Sequence, residues 1–85
     1  MTYEEEKEQL VGEMLNYASD MISLKGLDPE YYVDRVVVEI RHAVRMLKQD
    51  ENVVNDFRER QIDMEAFLKE VQEKAISRFL ASEKI

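Results

Sequence analysis

The chain has 85 residues and a formal net charge of −7, with no cysteine, no tryptophan, two glycines and one proline. That length holds one hydrophobic core, removes roughly 60–65% of the unfolded surface from water on folding, and without cysteine excludes disulfide frameworks, thiol nucleophiles and cysteine zinc sites. The acidity disfavours unspecific adhesion to nucleic acid or anionic lipid.

The start over residues 1–6 is acidic where a signal peptide is basic and then apolar. No apolar run nears the ~20 residues that span a bilayer. These features lead to the expectation of a soluble, cytoplasmic protein. A composition rich in Glu, Lys, Arg, Leu, Met and Ala favours helices, and so little glycine and proline leaves few turns for a sheet. The expected fold is all-α, a compact bundle in one domain over residues 1–85. It has three long helices and one short one, the first two forming an antiparallel hairpin.

Thr2 and Glu5 have capping-box spacing, and Glu4, Glu5 and Glu6 suit the positive end of a helix dipole. Tyr3, Leu10, Val11, Met14, Leu15, Ala18, Met21 and Ile22 recur on one side, so the first helix is expected over about residues 3–24. Gly12 falls on the opposite, polar side, where a mid-helix glycine costs about 1 kcal/mol against alanine. Gly26 stops this helix, and Asp28-Pro29-Glu30 starts the next.

The second helix, about residues 29–48, has a core stripe of Val33, Val36, Val37, Ile40, Ala43, Val44 and Leu47. Val36-Val37-Val38 favours a strand in isolation, but the spacing through Leu47 favours helix. Charge is split between the two helices. Residues 1–30 carry eight acids and two bases, whereas residues 31–50 carry three acids and four bases. Folding back at Leu27 sets Asp20 opposite Arg35, Glu13 opposite Arg41 or His42, and Glu6 opposite Lys48. The expectation is that these charges hold the hairpin in register.

Residues 49–52 read as a break, because one helix running on to Arg60 is about 48 Å long. A short third helix is expected over residues 53–60, with Val53, Val54 and Phe57 inward. Asp63 then caps a fourth over residues 64–82, with Ile62 placed to staple Phe67. Its inner stripe is Met64, Phe67, Leu68, Val71, Ala75 and Phe79, and Glu65–Lys69 and Glu70–Lys74 are helix-supporting pairs.

Chemistry has few candidates. Glu39-x-x-His42 has the spacing of carboxylate-bridged metal bundles, but those need two such motifs and the chain has one histidine. Glu39 and His42 are both expected to point away from the core stripe. Glu5-x-x-Glu8 and Glu70-x-x-Glu73 can ligate magnesium in all-helical nucleotide pyrophosphohydrolases. The companion Glu-x-x-Asp motif is missing. The serines lie in helical patterns without a neighbouring base. No catalytic residue, metal site or cofactor is therefore expected, and the protein is expected not to be an enzyme.

Binding surfaces are more legible. Arg41, Arg45 and Lys48 follow at i, i+4 and i+7, enough to hold a phosphate or nucleic-acid backbone, though the charge mirror favours their pairing with the first helix. Tyr31 and Val38 lie one heptad apart on the back of the second helix, with Tyr32 and Met46 on its flank. Ile76 and Leu80 lie off the fourth stripe. Either the second helix is covered on two sides, or these six form a partner-binding surface.

The leading expectation is an acidic protein-binding module, a regulator, inhibitor or adaptor, possessing a protein partner or forming a homodimer. One alternative is a nucleic-acid-associated or phosphate-binding protein using Arg41, Arg45 and Lys48. The other is a metal-dependent helical hydrolase with its site completed across a dimer.

Overall fold

Thr2 opens the first helix: its hydroxyl oxygen accepts from the Glu5 N–H at 3.1 Å and the hydroxyl donates to the Glu5 carboxylate at 3.0 Å. The computed structural model describes residues 2–25 and 31–82, without the side chains of Leu24, Lys25 and Ser82. Within these residues run α1 (Tyr3–Lys25), α2 (Tyr32–Gln49), α3 (Glu51–Glu59) and α4 (Met64–Ser82). The expected stop and restart at residues 26–30 lies outside the described residues.

One residue separates α2 from α3. Asp50 turns its backbone to φ −81° and ψ 115°, and its carboxylate accepts from the N–H groups of Asn52 and Val53. It satisfies two of the donors that a helix start leaves open, so α3 begins at Glu51, earlier than the expected residue 53. The turn after α3 is a Schellman closure. Gln61 takes a left-handed φ of 58°, Ile62 N–H reaches Phe57 C=O at 3.0 Å, and Gln61 N–H reaches Arg58 C=O at 3.1 Å. Asp63 then accepts from Ala66 N–H at 3.2 Å and caps α4 as expected.

The core is made of Val11, Met14, Ala18 and Ile22 from α1, Val36, Ile40 and Val44 from α2, Phe57 from α3, and Phe67, Leu68, Val71 and Ala75 from α4. An extent of 43 × 25 × 18 Å matches two helix layers of about 10 Å each around it. Aromatic contacts mark the two ends. Phe67 packs against Phe57 at 5.0 Å and edge-on to Tyr3 at 5.3 Å, while Tyr32 lies 6.1 Å from Phe79.

Side-chain contacts show the helix directions. Tyr3 meets Phe67, near the start of α4, and Glu8 meets Arg78, near its end, so α1 and α4 run the same way. Tyr32, at the start of α2, meets Phe79, near the end of α4, so α2 runs against both. Among the described residues, no helix is long and apolar enough to cross a membrane.

Two charged side chains lie inside the apolar stripes, Glu39 against expectation. Lys7 is 4% exposed and Glu39 3% exposed. Lys7 buries its stem between Tyr3 and Val11 at i±4, while its ammonium group reaches Glu70 at 2.5 Å and Glu4 at 3.3 Å and lies over the Tyr3 ring. Glu39 does not point away from the core as expected. Its carboxylate is held by Arg35, one turn earlier, at 2.9 Å, which offsets the cost of burying it.

Candidate functional site

The hairpin of α1 and α2 forms, but not through the expected charge register. None of Glu6, Glu13 and Asp20 is ion-paired to Arg35, Arg41, His42 or Lys48. Glu6 pairs with Arg60, Glu13 accepts from Gln9 at 3.4 Å, and Arg35 is taken by Glu39. The acids of α1 are matched instead by α4. Glu8 meets Arg78 at 2.9 Å, and Glu4 meets Lys74 at 3.9 Å, which also lies 3.6 Å from Glu70. The hydrogen bond from Arg78 holds the Glu8 carboxyl below its ordinary value of 4.5, and that from Lys7 does the same for Glu70. The Lys7 ammonium is raised above 10.5 chiefly by its bond to Glu70, against the opposing effect of burial.

This pairing leaves α2 with an uncovered outer face. Val36, Ile40 and Val44 at i, i+4 and i+8 commit one side of the helix to the core. The opposite side carries Val38, half exposed at 50%, Tyr31 at 58% one heptad before it, and Met46 at 56%. Around Val38 stand Arg41, His42 and Arg45 at i+3, i+4 and i+7, all exposed, with exposed Lys48 three residues further. Among the described residues none of these four basic groups has an ion-pair partner, whereas Lys7, Arg35, Arg60, Lys74 and Arg78 all do. Asp34 is the one exposed carboxylate of α2.

The expected partner surface therefore divides. Tyr31, Val38, Met46 and Leu80 are exposed. Tyr32 and Ile76 are not on that surface, because both are half-buried against the core, Tyr32 through its contact with Phe79. A feature beyond single-helix periodicity is an open apolar groove of about 370 Å³ between α1 and α2, lined by Leu10, Met14, Tyr17, Ala43, Met46 and Leu47. Met46 is shared by the groove and the outer face, and its off-stripe position was the only sequence signal for the groove.

The acidic motifs do not converge. Glu39 is buried and His42 exposed, Glu8 and Glu70 hold cations, and among the described residues no three side chains of metal-ligating type are grouped to hold an ion. The architecture defines a small all-α bundle whose second helix presents a basic and apolar face. Compared with protein-family models, curated proteins and solved structures, the chain matches none.

Proposed function

We propose that this chain is a small acidic protein-binding module, a regulator, inhibitor or adaptor, that works by presenting the outer face of α2. The observation that carries this reading is the exposure of Tyr31, at the N-cap of α2, and of Val38 and Met46 on a helix whose Tyr32, Val36, Ile40, Val44 and Leu47 pack inward. Large side chains fully withdrawn from water stabilise an association by roughly 1.5–3 kcal/mol each. Tyrosine and methionine also adapt readily to a partner surface.

The double variant Tyr31→Ala/Val38→Glu tests it, because neither residue belongs to the core. Affinity capture from the native host, read by mass spectrometry, should recover a partner with the native chain and lose it with the variant at unchanged helicity. Light scattering across a concentration series separates a homodimer from a different partner. An unfolded variant would assign Tyr31 and Val38 to the core and end this reading, as would identical captured sets.

That Arg41, Arg45 and Lys48 have no ion-pair partner among the described residues supports a second reading, in which the same face holds nucleic acid or phosphate. Salt-dependent binding of a DNA duplex, abolished by Arg41→Ala/Arg45→Ala, is its signature. The net charge of −7 opposes it.

A further inference from the structure

We infer that the partner of the α2 face is an acidic amphipathic helix, which sets its apolar stripe on Val38, Tyr31 and Met46 and its carboxylates against Arg41, Arg45 and Lys48. This rests on the reading of α2 as a docking face and adds the chemistry of the occupant.

The charge state of the face carries the inference. An acidic chain has carboxylates to spare, and Lys7, Arg60, Lys74 and Arg78 are drawn into ion pairs with them, Arg58 and Lys69 being the exceptions on the other helices among the described residues. On α2, Arg41, His42 and Arg45 follow an exposed valine within two turns, with Lys48 one turn beyond, and none is ion-paired to a described residue, although Glu13 and Asp20 stand on the adjacent helix. A partner that covered Val38 without bringing acids would strip water from these cations and give nothing back. One that brings carboxylates converts them into charge-assisted hydrogen bonds and gains electrostatic steering during encounter.

The spacing also suits a helix. Tyr31, Val38 and Arg45 repeat every seven residues, the period at which one helix follows another. A second copy of the chain does not meet these requirements. Twofold pairing would set α2 against α2 and oppose like charges. Pairing with the acids of α1 in another copy draws on carboxylates already held within the chain, Glu4 by Lys74, Glu6 by Arg60 and Glu8 by Arg78.

The probe is a synthetic amphipathic helix matched in length to α2, with a leucine stripe flanked by glutamates, titrated into isotopically labelled protein and followed by amide chemical shifts. The controls are the same peptide with every glutamate replaced by lysine and a DNA duplex of equal charge. The acidic peptide should shift Tyr31, Val38, Arg41, Arg45 and Met46, and its affinity should fall as salt rises. Arg41→Glu/Arg45→Glu should weaken it about tenfold or more at unchanged circular dichroism, and the milder Arg41→Gln/Arg45→Gln should give a smaller loss in the same direction.

Equal or tighter binding of the lysine peptide at the same face would overturn the acidic partner while leaving the docking face standing. Tighter binding of the duplex would give the face to nucleic acid. Shifts confined to the α1–α2 groove, or none at millimolar acidic peptide, would overturn the proposal.

Discussion

Gly12 is the simplest residue to test. A methyl group added there meets nothing within 4 Å, so Gly12→Ala keeps every contact and reduces the freedom of the unfolded chain. Thermal unfolding should show a gain of about 0.5–1 kcal/mol.

Lys7 separates packing from charge within one side chain. Lys7→Met keeps most of the buried stem and leaves Glu70 paired with Lys74, so denaturant melts should show little loss or a gain. Lys7→Ala empties the stem's place in the core and should clearly destabilise. If both variants fall equally, the ammonium group rather than the stem is what matters. Position 7 was readable from the sequence, since it lies one turn from both Tyr3 and Val11. Glu39, one turn before Ala43 and three residues after Val36, was readable in the same way. Glu39 was expected to face outward because it lies off the Val36–Ile40–Val44 stripe, and the buried arc of α2 is wide enough to take it in.

At the scale of elements, local chemistry was the most legible. The cap at Asp63, the start at Thr2, the inner stripe of α4 and the Val36, Ile40, Val44 and Leu47 part of the α2 stripe follow from short-range spacing. Val33, Val37 and Ala43, also expected inward, are only partly buried and outside the core. Asp50 was placed inside the break rather than recognised as the cap that makes it. Because its carboxylate closes two backbone donors, Asp50→Ala should cost about 1 kcal/mol, read as a lower denaturant midpoint with an unchanged slope.

Helix pairing was less legible, for a geometric reason. The acids of α1 can be matched by cations on α2 at Arg41 and Lys48, or on α4 at Lys74 and Arg78. Linear spacing fits both. Only the packing of three helices around one core decides, and it turns α1's matching side toward α4. The exposed apolar residues divided for a related reason: periodicity marked Tyr32 and Ile76 as off-stripe, but a helix touched by two neighbours has a wider buried arc than one stripe suggests.

For the whole molecule, the α1–α4 seam determines the response to acid. Glu8 and Glu70 titrate below 4.5 in the folded state and regain the ordinary value on unfolding. Below pH 4.5 the unfolded chain therefore binds more protons, so stability falls as the pH drops through the folded values. Equilibrium melts between neutral pH and pH 3 should show this decline, and Glu8→Gln should flatten it. The contribution of Lys7 has the opposite sense. It is complete below pH 10.5 and is lost as the pH rises through the elevated value of the folded state.

The shared direction of α1 and α4 also has a consequence in time. Their ion pairs join residues 63 and 70 positions apart in the chain, whereas the α1–α2 and α3–α4 contacts close much shorter loops. Loop-closure entropy makes the short-range contacts the earlier ones, so α4 should settle beside α1 after the rate-limiting barrier. Substitutions at Glu8, Glu70 or Arg78 should then steepen escape from the native state and hardly alter the speed of reaching it. In stopped-flow chevrons this appears as a raised unfolding limb over a nearly unmoved folding limb, with φ close to zero at the seam and higher at Val36 or Ile40. The seam would act as a latch that governs how long the protein stays folded.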